Sequence, residues 1–229
     1  MISKLDHLIV AVKDLDEAES NYKKIFGVEP VWRGEHKELG TANVIFNFKN
    51  TYFELLASNG VGLGSDFVNT TIEDSGEGLI GSVLGSENIK LTFDSINNKG
   101  HLLGDISDGE GTNLKNNEIR KWKNLFLPLE LTRGIFTFII EHTEGNLPAP
   151  NHFDKASVNK LDHVVISTND PDGFIKIYRD VFNIRLALDK VIEHWDTRIL
   201  FFRLNETTLE VVEKDHDNNN PDELWGLAW

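Results

Sequence analysis

The alternation of apolar and polar positions along the chain predicts short strands mixed with a few helices. Residues 5–12 are rich in Leu, Ile and Val, which is typical of a buried strand. Asp14 is followed three positions later by Glu17, the arrangement of a capping box, and apolar residues then recur at helical spacing up to Phe26, just before Gly27. Further strands are predicted at 29–33, 42–48 and 51–57. The first 58 residues therefore have the predicted order β-α-β-β-β.

A second, weaker unit of the same kind is predicted downstream. Residues 58–78 are rich in Gly, Ser, Asp and Asn, and they predict a mobile loop long enough to be a lid over a site. The elements predicted after it are a strand at 79–84, a helix at 89–98, an irregular strand leading into the Asp- and Gly-rich segment 105–117, and strands at 119–127 and 135–142. We expect a complete pair of units at residues 1–148, with the two units at about 1–58 and 79–144.

The first unit is repeated near the end of the chain. Leu161-Asp162-His163 repeats Leu5-Asp6-His7 at an offset of 156 positions, and this offset continues without a gap. Thr41, Phe46, Thr51 and Glu54 correspond in this way to Thr197, Phe202, Thr207 and Glu210. The repeat predicts a helix from Asp170-Pro171 to about Phe182, strands at 184–188, 198–204 and 207–213, and a polar loop at 215–222.

The repeat also predicts the domain organisation. Residues 149–157 have little hydrophobic pattern and are expected to be a linker. Residues 158–229 correspond to the first half of a second pair, so we expect the chain to lack a final unit. The last residues, 224–229, are predicted to begin a strand with an unpaired edge and two exposed tryptophans, Trp225 and Trp229. Such a surface favours self-association, and we expect a homodimer.

Composition restricts the possible partners. The formal charge of −14 and the pI of about 4.9 argue against nucleic acid and anionic membranes as partners. The chain has no cysteine, which excludes disulfides, zinc–thiolate sites and cysteine nucleophiles. No apolar run approaches the roughly 18 residues of a membrane span, and the N-terminal run is too short for a signal peptide. We expect a cytoplasmic protein that acts on a small molecule.

One pair of residue types with possible chemistry occurs in both copies of the repeat. His7 on the first strand and Glu54 on the fourth are 47 positions apart, as are His163 and Glu210. Glu54 lies among apolar residues, where an ionised carboxylate is costly unless it is paired or bound to a cation. A histidine and a carboxylate across a sheet suit a divalent transition metal. The alternative is a structural pair in which the two side chains bond each other, with the recurrence reflecting common ancestry.

These residues and the βαβββ order resemble the vicinal oxygen chelate superfamily, which includes glyoxalase I, the bleomycin-resistance proteins and the extradiol dioxygenases. The resemblance rests on the Leu-Asp-His strand, on the stretch 36–43 and on Tyr52-Phe53-Glu54-Leu55-Leu56-Ala57. It implies an α+β fold in which paired βαβββ units form a curved, incomplete barrel around a cleft. Metal ligands in this superfamily come from the first and fourth strands of each unit.

The resemblance also implies a ligand set. His7 and Glu54 match the metal ligands of the first unit, and Glu141 matches the fourth-strand ligand of the second. The ion (Fe, Mn, Ni or Zn) would act as a Lewis acid on vicinal oxygens while a catalytic carboxylate, Glu54 or Glu141, moves a proton. The first strand of the second unit, 79–84, has no histidine, so the four-ligand glyoxalase I site is incomplete. His163 and Glu210 would form only half of a second site.

Four further residues are candidates for substrate binding. His36 and Asn43 could bond the oxygens of a ligand, because the stretch Gly40-Thr41-Ala42-Asn43 has no counterpart in the second copy. Trp32 and Trp122 could wall an apolar pocket. For each residue the alternative is an ordinary structural role. The sequence thus leaves three hypotheses: a glyoxalase-like, metal-dependent lyase, isomerase or dioxygenase; a metal-free small-molecule binding protein of the bleomycin-resistance type; and paired units with no active site.

Overall fold

The fold is mixed α and β, as expected, and its centre is an eight-stranded barrel. The computed structural model describes residues 1–149, 153–214 and 221–229. The elements of the barrel region are β1 (Ile2–Ala11), α1 (Leu15–Phe26), β2 (Trp32–His36), β3 (Thr41–Asn47), β4 (Tyr52–Ser58), α2 (Leu63–Ser75), β5 (Gly78–Ser86), α3 (Ile89–Asn97), β6 (Ser107–Asn113), β7 (Ile119–Phe126), α4 (Leu129–Thr132) and β8 (Phe136–Glu144).

The barrel is a pair of βαβββ units, which confirms the predicted fold class. Within each unit the first strand runs parallel to the fourth, as β1 does beside β4 and β5 beside β8. The two units meet where β1 pairs with β5 and, over only two residue pairs, where β2 pairs with β6. The sheet therefore closes fully around its interior, in the order β1-β4-β3-β2-β6-β7-β8-β5.

The predicted lid loop at 58–78 is wrong, because most of this segment is the helix α2. Val68 and Ile72, four positions apart, are buried against Ala11 of β1. The side chain of Ser65 in the first turn donates to the carbonyl of Gly60 at 2.8 Å. The segment has many small and polar residues, and within the described residues its helix has no side-chain N-cap. The helix was therefore not recognised from the sequence.

The predicted strand at 29–33 is displaced by three residues. The strand β2 begins at Trp32 and ends at His36. The Trp32 side chain is buried, and Arg33 instead forms ion pairs with Asp16 and Glu19 of α1. The helix α1 follows the prediction: Asp14 accepts bonds from two backbone amides, and Gly27 ends the helix in the left-handed conformation with φ of 66°.

The C-terminal repeat forms a separate five-stranded sheet in the order β10-β11-β12-β9-β13. Its elements are β9 (His163–Thr168), α5 (Pro171–Ile175) with a π-helical continuation (Lys176–Val181), β10 (Arg185–Ile192), β11 (Thr197–Leu204), β12 (Thr207–Glu213) and β13 (Glu223–Ala228). Asn50 of the barrel connects the two sheets, because its side chain bonds both the carbonyl and the amide of Leu161, at 2.7 and 3.1 Å.

The last strand, β13, is an edge strand, and within the described residues no strand pairs with its outer edge, as the sequence predicted. β13 pairs antiparallel with β9, in the place that β5 occupies beside β1. Trp229 packs its ring on Phe26, Phe48 and Phe53 of the barrel, whereas Trp225 is 71% exposed. Trp229 is thus partly covered within the chain but is still 38% exposed, and the homodimer stays a prediction.

Parts of two predicted segments lie outside the described residues: 150–152 of the linker 149–157, and 215–220 of the polar loop 215–222. In the described part of the chain, no helix has the length and apolar character needed to cross a membrane.

Candidate functional site

The barrel encloses a cavity of about 310 Å³. One wall is apolar and consists of Ile9, Leu56, Phe136, Phe138 and Ile140. Polar side chains face it from strands β1, β2, β3, β4 and β7, and the N-terminal part of α2 borders the cavity with Leu63, Gly64 and Phe67. The size and the mixture of a broad apolar lining with few polar groups are those of a small-molecule site.

His7 lies at the polar end of this cavity, between two carboxylates. Its Nδ1 is 2.9 Å from Asp6 Oδ1, and its Nε2 is 3.4 Å from Glu54 Oε2. His7 is only 2% exposed and Glu54 only 6%. The ring of Tyr52 stacks on the imidazole with a centroid separation of 4.3 Å. Both predicted first-unit residues therefore meet in the cavity, and both are held in fixed positions.

The pKa values of this cluster favour a charged histidine between charged carboxylates. Burial alone would raise the pKa of Glu54, but the hydrogen bond and the charge of His7 outweigh it and lower that pKa from 4.5 to about 2. Burial would lower the pKa of His7, yet the bonds to Asp6 and Glu54 raise it. The pKa of Asp6 is well below its usual range, because bonds from His142 and His7 outweigh desolvation.

Asn43 and His36 extend this polar end along β3 and β2, as the sequence predicted. Asn43 Nδ2 donates to Glu54 Oε1 at 2.6 Å and lies 3.4 Å from His36 Nε2. Because the Glu54 carboxylate can only accept, the orientation of the amide is fixed, and Asn43 Oδ1 is left buried with no hydrogen-bond partner among the described residues. His36 Nδ1 is 2.9 Å from the hydroxyl of Thr41, and burial lowers the pKa of His36, so its ring is neutral at pH 7.

Strand β7 supplies the predicted residue Trp122 and two polar residues that the sequence analysis missed, Arg120 and Asn124. Arg120, Trp122 and Asn124 alternate along it and all line the cavity. The Arg120 guanidinium lies over the rings of Trp32, Tyr52 and Trp122 at 5.5, 5.7 and 5.9 Å. Spacing by two within the predicted strand at 119–127 was the available signal, because it places these three side chains on one face.

Asp6 and His142 were also missed as members of the site. His142 Nε2 is 3.0 Å from Asp6 Oδ1, so a residue of the second unit contacts the aspartate that bonds His7. Asp6 precedes His7 directly, and sequence alternation would place it on the opposite face of β1. Its side chain nevertheless bonds the neighbouring imidazole, which only the coordinates reveal.

Two predicted site residues lie outside the cavity. Glu141 accepts a bond at 2.6 Å from the amide of Ile89, at the start of α3, whereas its neighbour Ile140 lines the cavity. The predicted set of His7, Glu54 and Glu141 is therefore not assembled. Trp32 is buried behind the lining, against Ile45 and beneath Arg120, so it supports the wall and does not form it.

The donors in the cavity do not fit the divalent ion that the resemblance implies. His7 already has a carboxylate at each ring nitrogen, and the inward positions of β8 are apolar. Among residues 1–149, 153–214 and 221–229, no group of three or more His, Cys, Asp or Glu side chains is arranged to hold a metal. In the second copy, His163 Nε2 and Glu210 Oε2 are 3.1 Å apart, but they lie on the separate C-terminal sheet.

Comparison with known families agrees with this architecture. A family profile described as "Glyoxalase-like domain" matches residues 5–182. The chain belongs to this family. A second profile, "Glyoxalase/Bleomycin resistance protein/Dioxygenase superfamily", matches residues 160–224, which is the C-terminal repeat. Membership in the vicinal oxygen chelate superfamily, predicted from the Leu-Asp-His strands, is thereby confirmed.

Solved structures share the fold of this glyoxalase-like chain at low sequence identity. A hypothetical protein from Staphylococcus aureus is 14% identical, with a TM-score of 0.72, and the match covers 93% of this chain and 87% of that one. Methylmalonyl-CoA epimerase from Mycobacterium tuberculosis is 16% identical, with a TM-score of 0.50 over 62% of this chain and 90% of the epimerase. At these identities the likeness shows the fold alone. No curated protein matches the chain.

Proposed function

We propose that the barrel of this glyoxalase-like protein binds a small, mainly apolar molecule, and that it does so without a divalent metal. The binding is assigned to the cavity of about 310 Å³, which is large enough for one or two rings with a polar substituent. The independence from metal is inferred from the donor set, since His7 and Glu54 are committed to each other and Glu141 lies outside.

Unpaired polar atoms in the cavity carry this proposal. Four buried side-chain polar atoms have no hydrogen-bond partner among the described residues, and three of them belong to the cavity lining: Asn43 Oδ1, Arg120 Nε and Asn124 Oδ1. A buried polar group without a partner costs about 1–3 kcal/mol. Three such groups around one cavity are best explained by a ligand that bonds them.

The test is calorimetric titration of chelator-treated protein with neutral two-ring compounds, namely 2-naphthol, 2-naphthamide and indole. We expect micromolar binding of at least one, unchanged by EDTA. Replacing Leu56 of the lining with tryptophan should abolish binding, whereas the matched Leu102→Trp change, at a residue that is 88% exposed, should not. Absence of binding by all three compounds, or binding only after a metal is added, would refute the proposal.

A second candidate function is proton transfer on the bound molecule, and His36 favours it. Its ring is neutral and faces the cavity with Nε2 in only a long contact, so it could accept a proton from a substrate carbon or oxygen. Solvent-deuterium exchange at C3 of phenylpyruvate, an apolar 2-oxo acid, would detect this activity by NMR. Exchange should be lost in His36→Phe and kept in the control His194→Phe. If exchange is no faster with the protein than without it, proton transfer is refuted and only the binding function remains.

A further inference from the structure

The most unusual group in the cavity is the cation Arg120. It is 6% exposed, and it forms no ion pair with any carboxylate in the described part of the chain. Among the described residues, its polar contacts are His142 Nδ1, at 3.4 Å from Nη2, and the hydroxyl of Tyr52. A buried charge without a counter-ion is costly, and buried arginines are normally paired. We infer that the natural ligand is an apolar monoanion whose carboxylate pairs with Arg120. This inference rests on the proposed binding function and names its ligand class.

The aromatic rings around Arg120 leave an edge of its guanidinium available to bind a carboxylate. Three aromatic rings, those of Trp32, Tyr52 and Trp122, lie within 6 Å of it and favour the cation without neutralising it. Its Nε is one of the two donors on an edge of the guanidinium, and in the part of the chain that the structure describes this atom has no hydrogen-bond partner. A carboxylate matches such an edge with two parallel hydrogen bonds.

The charges nearby favour one negative charge on the ligand and disfavour two. Glu54 is already opposed by His7, and Asp6 is bonded by Lys4, His7 and His142. Arg120 is thus the remaining cation of the cluster without a counter-ion. A carboxylate balances it, whereas the dianion of a phosphate monoester would add a second charge close to Glu54.

The order of groups along β7 suggests the rest of the molecule. Arg120, Trp122 and Asn124 follow one another on the inner face, and four residues of strand span roughly 13 Å. Asn124 Oδ1 and, on β3, Asn43 Oδ1 are unpaired acceptors that require a donor. A ligand with a carboxylate, an aromatic or apolar middle, and a hydroxyl or N–H group at the far end would pair with Arg120 and donate to one of these two amide oxygens. The class is therefore that of hydroxylated aromatic or apolar acids.

The experiment compares a matched acid and amide. The parent protein is titrated with 6-hydroxy-2-naphthoate and with its neutral isostere, 6-hydroxy-2-naphthamide. We expect the acid to bind at least about 10-fold tighter, because hydrogen bonds to a charged group are stronger than those between neutral groups. In Arg120→Met the preference should disappear while the amide binds within about 3-fold of its parental affinity. Arg203→Met, an exposed arginine of β11, is the matched control and should keep the preference.

Two further probes keep the inference falsifiable if Arg120→Met fails to fold. Arg120→Lys retains the charge but loses the planar pair of donors, and it should show a reduced preference for the acid. 2-Naphthyl phosphate should bind the parent more weakly than 2-naphthoate. Equal affinity for acid and amide in the parent, or tighter binding of the phosphate, would overturn the monoanion inference while leaving the proposed cavity function intact. Failure of both acid and amide to bind would instead overturn the proposed function.

Discussion

The two copies of the histidine–glutamate pair have nearly the same local geometry. Imidazole Nε2 and carboxylate Oε2 are 3.4 Å apart in His7–Glu54 and 3.1 Å apart in His163–Glu210. In each copy the preceding aspartate contacts the imidazole Nδ1, at 2.9 Å in the first copy and 3.0 Å in the second. The strand register is also the same, because each glutamate lies opposite the residue two positions after its histidine.

The two copies differ in how deeply their histidine and glutamate side chains are buried. The side chains of His7 and Glu54 are 3% and 8% exposed, whereas those of His163 and Glu210 are 28% and 21% exposed. In the barrel a second unit closes over the first, and Asn43 and His36 add polar contacts where the C-terminal copy has Ile199 and Ile192. The same sequence motif therefore forms a buried charged cluster in one place and a partly solvated pair in the other.

The largest expected effect is the loss of stability when the buried pair is broken. Glu54→Ala would leave the charged His7 facing a cavity, and we expect it to lower the free energy of unfolding by about 3 kcal/mol. Glu210→Ala removes a partly solvated partner and should cost less than about 1 kcal/mol. Urea denaturation followed by tryptophan fluorescence measures both. Equal losses would show that enclosure does not distinguish the two copies.

Acid sensitivity should come from the first copy. The pKa of Glu54 in the folded state, about 2, is below the unfolded value of 4.5, so its stabilisation is complete above pH 4.5 and is lost as the pH falls towards 2. A shift of that size corresponds to about 3 kcal/mol. The free energies of unfolding of the parent and of Glu54→Gln, measured by denaturation at pH 6 and at pH 3, should differ less at pH 3 than at pH 6. An equal difference in the free energy of unfolding at both pH values would contradict the assignment of acid sensitivity to Glu54.

A single methyl group should test the aromatic wall of the cavity. A Cβ at Gly109 of β6 would lie 2.3 Å from Trp122 Nε1, so the indole would have to move. We expect Gly109→Ala to weaken binding of 6-hydroxy-2-naphthamide by about 10-fold, measured by calorimetry. At Gly226 of β13, no atom of residues 1–149, 153–214 or 221–229 lies within 4 Å of the added carbon, and Gly226→Ala should leave binding unchanged. Unchanged binding in Gly109→Ala would mean that Trp122 is not a wall of the ligand site.

The smallest expected effect is that of divalent metals. Mn²⁺, Ni²⁺ or Zn²⁺ at 100 times a true dissociation constant would stabilise the fold by about 2.7 kcal/mol. Because neither copy offers three suitable donors within the described residues, we expect changes in the unfolding temperature below about 1 °C. If a metal raised the unfolding temperature by several degrees and this rise disappeared in His7→Ala, the metal hypothesis would be restored for the barrel. If the rise disappeared in His163→Ala instead, the metal would lie in the second copy.

Much of the fold could be predicted because its signals are local. The N-cap at Asp14, the helix end at Gly27 and the repeated Leu-Asp-His strand each lie within a few residues, and each was located correctly. The helix α2 was missed because its segment is rich in small and polar residues that also form loops. Its apolar residues Val68 and Ile72 reveal the helix only when β1 is present to bury them.

The sequence by itself determined the βαβββ units, the family, the charge of the chain and the His–Glu spacing of 47 in both copies. The tertiary structure alone decided which side chains share the cavity. Arg120 reaches Tyr52 and Trp32 only because the barrel closes between units far apart in sequence, and Glu141 is excluded because its strand turns that position towards α3. Alternation places a side chain on one of two faces, but which face becomes the interior depends on packing between distant strands.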